Sequence, residues 1–80
     1  LYKALTTVSA NKNISLKEDT GLFSKSLQKI EKGQELVFIE NADNNAWYKV
    51  LTYEGNIGFV KIKEVSEKKQ IRINMEDRKL

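Results

Sequence analysis

Three short apolar runs, separated by clusters of turn-forming residues, fill the middle of the chain between residues 32 and 62. The runs are rich in β-branched and aromatic residues and lie at 36–39, 47–53 and 57–62. Asparagine and aspartate crowd the first gap (41–45), and a Glu-Gly-Asn triplet fills the second (54–56). This pattern is typical of consecutive strands joined by tight turns. The segment therefore predicts a three-stranded antiparallel meander.

Two details of the meander carry further expectations. Both faces of the run at 36–39 are apolar, which predicts a strand that is covered on both sides. Gly58 interrupts the third run, where a glycine indicates a bulge or the close approach of another backbone. Along the second run, side chains alternate, so Tyr48 and Val50 are expected to point into a core and Trp47 to point away from it.

The rest of the chain also favours strands. Further strands are predicted at 6–9, around Ile14 and Leu16, at 27–30 and at 70–75. The turn-forming stretch 18–26 predicts a long loop, and 62–65 a single 3₁₀ turn. Since no segment of ten or more residues has a 3.6-residue period, the predicted fold class is all-β. We expect a small barrel of five to seven short antiparallel strands.

A chain of 80 residues holds one domain at most. We expect the barrel to span residues 6–66, preceded by an N-terminal arm at 1–5. Residues 67–80 are expected to form an additional strand and a solvated tail. The chain opens with Leu1 and not with methionine, so we expect it to be a piece of a longer or processed protein.

Composition excludes several chemistries. The chain contains no cysteine and no histidine, so it cannot form a disulfide, a thiolate metal site or a Ser-His or Cys-His nucleophile pair. Its 14 basic and 11 acidic residues are interspersed and leave a net charge of +3, milder than the clustered charge of a nucleic-acid binder. Nucleic acid is therefore a disfavoured partner. No run approaches the ~18 apolar residues of a membrane span.

The acidic residues do not assemble a convincing site. Glu18 with Asp19, and Glu40 with Asp43, could be paired carboxylates, but both pairs lie beside turn formers and are interpreted as solvated loop residues. The segment 41–45 has oxygen-bearing side chains at alternate positions, yet it lacks the glycine and the bidentate glutamate of a calcium loop. We predict no catalytic residue, no metal and no cofactor.

Three motifs in register resemble the landmarks of bacterial SH3 (SH3b) domains. They are GQELVF at 33–38, WYKV at 47–50 and GNIGFV at 55–60. The family pattern is a lysine–glycine followed by a strand, then W-x-K-V, then G-x-x-G-[WYF]-V. Two departures are visible: the first family segment appears as NISLK at 13–17 without its arginine, and Phe59 replaces the commoner tryptophan or tyrosine. The marks of eukaryotic SH3 domains, including a proline after Val60, are missing.

The resemblance implies an SH3-like barrel and a bacterial, extracytoplasmic module of a secreted or envelope protein. Such modules bind peptidoglycan peptide or glycan, or position an attached catalytic domain. The alternative that stays open is a ligand-free spacer that packs on a neighbouring domain of the same chain.

Aromatic side chains are the candidate ligand-binding residues. Trp47 and Tyr53 share one side of the second run, Phe59 is expected to face them across the hairpin, and Phe23 in the long loop could complete a cleft. Asn45, in the turn before Trp47, is a further candidate. An exposed aromatic pair can stack on a sugar or clamp a peptide. Lysines are expected to attract an acidic ligand to this surface: Lys25, Lys49 and Lys61. The open alternative is that these rings fill the core.

Overall fold

The computed structural model describes residues 2–21 and 23–74, which form seven β-strands and contain no α-helix. The predicted all-β class is confirmed. No helix in this part of the chain is long and apolar enough to cross a membrane. The strands are β1 (Tyr2–Ser9), β2 (Ile14–Lys17), β3 (Ser26–Ile30), β4 (Glu35–Ala42), β5 (Trp47–Leu51), β6 (Ile57–Lys61) and β7 (Lys69–Asn74), with a 3₁₀ turn at Ile62–Glu64 between the last two.

The strands form a single antiparallel sheet in the order β3-β2-β6-β5-β4-β1-β7. The predicted meander is its centre, because β5 pairs with β4 on one side and with β6 on the other. The sheet is open: β3 and β7 are its two edges. Strand pairing among the described residues therefore does not close the sheet into the expected barrel.

The arm expected at residues 1–5 is a strand from Tyr2 onward, which corrects the boundary predicted at Thr6. Tyr2 to Thr7 pair in unbroken register with β7, from Tyr2 opposite Asn74 to Thr7 opposite Lys69. Only the end of β1, Thr7–Ser9, also pairs with β4. Residues 2–6 thus form a two-stranded ribbon with β7. The C-terminal strand predicted at 70–75 is this β7; residues 75–80 lie outside the described part of the chain.

Alternation along the strands builds the core, as the sequence predicts. Tyr48 and Val50 of β5 are buried, as are Val60 of β6 and Leu36 of β4. The remaining buried apolar side chains come from five other parts of the chain: Val8, Ala10, Ile14, Leu16, Ile30 and Val65. One side of the sheet therefore encloses a single apolar cluster, and the opposite side of β5 and β6 faces outward.

Strand β4 is not covered on both faces. Leu36 is fully buried, but Val37 is half-buried and Ile39 is 42% exposed. The pairing with β5 shifts register between Phe38 and Glu40, and a bulge of this kind turns the strand away from its neighbours. The end of the apolar run 36–39 therefore lies outside the buried core.

Lys68 lies over the edge of the core, in the connection to β7. Its Nζ is 4.5 Å from the centroid of the Phe38 ring and 5.6 Å from that of Tyr48. The two rings meet edge to face at 5.0 Å. Because an ammonium is attracted to the negative face of a ring, this contact fastens the segment before β7 to the core.

Gly58 is a site of close approach, as expected. A Cβ at this position would lie 2.6 Å from the carbonyl oxygen of Lys17 and 2.7 Å from Cγ of Leu16. Backbone cannot move aside as a flexible side chain can. The absence of a side chain at Gly58 is therefore what lets β2 pair with β6.

Gly58→Val is expected to destabilise the protein by about 2 kcal/mol or more, because the new side chain clashes with β2. Gly21→Val is the control, since an added Cβ there meets nothing within 4 Å. Thermal and urea denaturation measure both variants. Equal midpoints for Gly58→Val and the wild type would refute the close-approach argument.

Leu36→Ala is expected to cost roughly 2–4 kcal/mol, because it opens a cavity where the side chain is fully buried. Ile39→Ala, on the same strand but 42% exposed, should cost about 1 kcal/mol or less. Urea denaturation of the two variants tests the assignment of the faces of β4, and similar losses of stability would contradict it.

Candidate functional site

The outward side of β5 and β6 carries aromatic rings and lysines in alternation. Trp47 is paired with Lys61, and Lys49 with Phe59. Phe59 is also paired with Lys17 of β2. Directly paired residues project from the same face of a sheet, so these five side chains share one surface, which we call the Trp47 face. Along and across the strands, each aromatic residue has lysines as its neighbours.

The buried side of the same strands fixes this arrangement. Tyr48 and Val50 point into the core, so Trp47 and Lys49 must point outward. In β6, Gly58 and Val60 are the buried residues, which leaves Phe59 and Lys61 on the outside. The prediction that Trp47 and Phe59 face the same way is confirmed.

Two shallow grooves meet at Trp47. One, of about 470 Å³, is lined by Asn45, Ala46, Trp47, Lys61, Ile62 and Lys63. The other, of about 380 Å³, is lined by Lys17, Thr20, Gly21, Trp47 and Lys61. Trp47 and Lys61 are common to both, so the Trp47 side chain borders each groove. The indole is half-buried, with part of its surface left in solvent.

Lys61 holds its ammonium close to the indole, with Nζ 5.7 Å from the ring centroid. Such a contact is worth ~0.5–1 kcal/mol at an exposed site. It keeps a positive charge at the edge of both grooves without sealing the ring from solvent.

An unusual turn forms the end of the first groove. Asp43, Asn44 and Asn45 all have positive φ, at 49°, 55° and 65°. Asparagine and aspartate tolerate this conformation better than other side-chain-bearing residues. The Asn41 Nδ2 amide donates to Asn45 Oδ1 at 2.8 Å and holds Asn45 beside Trp47. The segment is a turn, and no three His, Cys, Asp or Glu side chains converge on a metal-sized space within residues 2–21 and 23–74.

A third groove, of about 370 Å³, lies between the ends of β2 and β3 and is lined by Asn13, Ile14, Ser15, Lys29, Ile30 and Glu31. It contains no aromatic ring and one lysine balanced by one glutamate. A ligand would find no flat apolar platform there. The Trp47 face is therefore the candidate functional site.

Tyr53, predicted to form an aromatic pair with Trp47, lines neither of the two grooves beside it. Burial keeps alternating past the end of β5 at Leu51, because Thr52 is buried and Tyr53 is exposed, but Trp47 begins the strand whereas Tyr53 follows it. Tyr53 lies in the following turn and is 64% exposed. Its hydroxyl donates to Glu35 Oε1 at 2.7 Å, and Thr7 Oγ1 donates to the other oxygen at 3.3 Å. The two rings stand at opposite ends of β5.

Phe23 and Phe59 are placed differently from each other. Phe23 is 95% exposed, and the 18–26 loop contributes Thr20 and Gly21 to the second groove while the Phe23 ring lies outside its lining. Phe59 is half-buried between lysines on the outer face and is not part of the core cluster.

Two lysines of the grooves were not among the predicted site residues. Lys17 and Lys63 line them, whereas the predicted Lys25 does not. Lys17 follows the buried Leu16, so alternation alone marks it as outward. Its proximity to Phe59 depends on the pairing of β2 with β6, for which the sequence holds no local signal.

The hydrogen bond to Glu35 raises the pKa of the Tyr53 phenol, and the negative charge of Glu35 acts in the same direction. The hydrogen bond exists while the phenol keeps its proton, so its contribution to stability is lost as the pH rises through the raised pKa.

In an ultraviolet titration of tyrosinate, the pKa of Tyr53 should lie above the ordinary value for a tyrosine. Glu35→Gln should lower that pKa, and Tyr53→Phe should remove the step. An unchanged titration curve for Glu35→Gln would show that the bond does not persist in solution.

No protein-family model, no curated protein and no solved structure matches this chain. Its function must therefore be argued from the site itself.

Proposed function

We propose that this chain is a non-catalytic recognition module of the bacterial SH3 type, which binds peptidoglycan through the Trp47 face and so holds an attached catalytic domain near the cell wall. The observation that carries the proposal is the half-exposed indole of Trp47, bordering two grooves on the outer side of a sheet. A protein that carries such a module would act outside the cytoplasm, in the envelope or after secretion.

The strand arrangement supports the SH3-like part of this proposal. The three motifs that resemble SH3b landmarks fall in successive parts of the meander: GQELVF enters β4, WYKV opens β5, and GNIGFV forms the turn before β6 and most of β6 itself. A 3₁₀ turn follows β6 directly. A seven-stranded antiparallel sheet around one small core is compatible with a small β fold.

The Trp47 ring is suited to binding. An indole offers a large flat apolar surface and loses little conformational entropy when it is immobilised. Trp47 is paired with Ala42 on one side and with Lys61 on the other, so its backbone is held by both neighbouring strands. A ring on a rigid strand is pre-organised for a sugar or peptide, which lowers the cost of binding.

The Trp47 face is not assigned a catalytic role. The polar residues that line its two grooves are asparagine, threonine and lysine, and the chain contains no histidine or cysteine that could form a nucleophile–base pair. Recognition is the function that these groups support.

A second candidate function, packing on a neighbouring domain, is favoured by a different part of the outer surface. One cross-strand row joins Ile57 to Leu51, Leu51 to Val37 and Val37 to Thr7. Ile57 is 53% exposed, and Leu51 and Val37 are half-buried. An apolar row of this kind is suited to contact with another folded surface.

Co-sedimentation with purified peptidoglycan tests the first proposal. Trp47→Ala should weaken binding about tenfold or more, because truncating an aromatic anchor typically costs ~2 kcal/mol. Tyr53→Ala is the matched control, since it removes a more exposed ring from the other end of β5. It should bind as the wild type does.

Far-ultraviolet circular dichroism and thermal melts establish that both variants keep the fold. A wild-type protein that stays in the supernatant would reject peptidoglycan binding and leave the apolar row as the functional surface. Equal losses in Trp47→Ala and Tyr53→Ala would mean that the Trp47 face is not the binding site.

A further inference from the structure

The two grooves beside Trp47 are positively charged to a degree that the whole chain is not. Their lining contains three lysines, Lys17, Lys61 and Lys63, and no aspartate or glutamate. The chain as a whole has 14 basic and 11 acidic residues, and the groove between β2 and β3 is lined by one lysine and one glutamate. Positive charge is therefore concentrated where the indole is exposed.

From this arrangement we infer that the ligand of the Trp47 face is acidic, and that carboxylates of the peptide part of peptidoglycan, not the sugar backbone, provide most of the recognition. The inference rests on the proposed function and specifies which chemical part of the polymer the face selects.

The spacing of the lysines fits more than one carboxylate at once. Lys49 and Lys61 are diagonal neighbours across β5 and β6, a relation that separates the two residues by about 7–8 Å. Lys17 and Lys49 are both paired with Phe59, so they stand two strand spacings, or about 10 Å, apart. A short peptide with free carboxylates could span these distances while its apolar part rests on a ring.

Acidic residues beside some of these lysines reduce the positive charge of part of the face. Glu40 is paired with Lys49 on the side of β4, and Glu18 follows Lys17 in the chain. Glu64 follows Lys63 in the chain. Lys61 lines both grooves, and neither its neighbours in the chain, Val60 and Ile62, nor its cross-strand partner Trp47 carries a charge. Lys61 is consequently the charge that we expect to contribute most.

The charge of the whole chain favours a short acidic peptide over a nucleic-acid backbone. Its 14 basic and 11 acidic residues leave a net charge of +3, whereas a nucleic-acid binder presents a large basic surface that contacts many phosphates. The positive groups of the face are lysines, each of which acts as a single point charge. The neutral N-acetylated sugars of peptidoglycan would give these ammonium groups no charged partner. The short peptides attached to the sugars carry the carboxylates.

The experiment compares one polymer before and after its charge is removed. Intact peptidoglycan is converted to a neutral form by amidating its carboxyl groups, and a mock-treated sample serves as the control. Wild-type protein should bind the amidated polymer about tenfold more weakly than the mock-treated one. Its affinity for the intact polymer should also fall as sodium chloride is raised, because exposed charge pairs are screened.

Lys17→Gln/Lys61→Gln should weaken binding to the intact polymer about fivefold, as the loss of two exposed charge contacts allows. Lys29→Gln/Lys32→Gln is the matched control. It removes two exposed lysines that are not part of the Trp47 face, and it should bind within about twofold of the wild type.

The outcomes separate the inference from the function on which it rests. Equal binding to amidated and intact polymer, lost in Trp47→Ala, would overturn the inference and keep peptidoglycan binding through sugars. No binding to either polymer would overturn both. A 15-nucleotide single-stranded oligonucleotide that binds more tightly than intact peptidoglycan would replace carboxylate recognition with nucleic-acid binding.

Discussion

The burial of Tyr48 and Val50 between β4 and β6 is the constraint on which the rest of the structure depends. These two side chains fix the register of the central strand, and the remaining residues of β5, which are Trp47, Lys49 and Leu51, point outward as a result. A slip by one residue would exchange the two faces of a strand, which would bury Lys49 and expose Val50. The same interaction that holds the core together thus presents Trp47 to solvent, so a change in the register of β5 would alter the core and the candidate site together.

The outer surface divides into three regions with different chemistry. Trp47 and its lysines occupy the end of β5 next to the Asp43–Asn45 turn, and an apolar row that includes Leu51 and Ile57 crosses the other end. Beyond that row, Tyr53 is tied to Glu35 and Thr7 by hydrogen bonds. A small domain with one core uses both ends of a single strand for separate surfaces. Ligand binding at one end and packing at the other are therefore compatible on the same module.

The sequence predicted those structural features that are set by residues close together in the chain. Alternation predicted that Tyr48 would be buried, and the glycine within β6 predicted a close approach of another backbone. The sequence could not show that Leu16 and Lys17 are the residues that approach Gly58, because they are distant from it in the chain. The extension of β1 to Tyr2 was missed for the same reason: its hydrogen-bonding partner is β7, at the other end of the chain. Alternation also grouped Tyr53 with Trp47, but it could not show that Tyr53 hydrogen-bonds to Glu35, which is distant in sequence, at the other end of β5. Thr52 continues the alternation: it is buried, and it hydrogen-bonds to Asn56 through its backbone N–H at 2.9 Å and its hydroxyl oxygen at 3.1 Å.

The ribbon of β1 and β7 has a mechanical consequence. Tyr2 and Asn74 are cross-strand partners at its tip, so a tensile load applied through these two residues would pull on one hydrogen-bonded pair at a time, as a zipper opens. Shearing, which strains many pairs together, would not occur. The ribbon would yield at low force while the β4–β6 meander stayed folded, since local opening needs less free energy than global unfolding. Under tension, the domain would lengthen as a compliant tether and keep its Trp47 face intact.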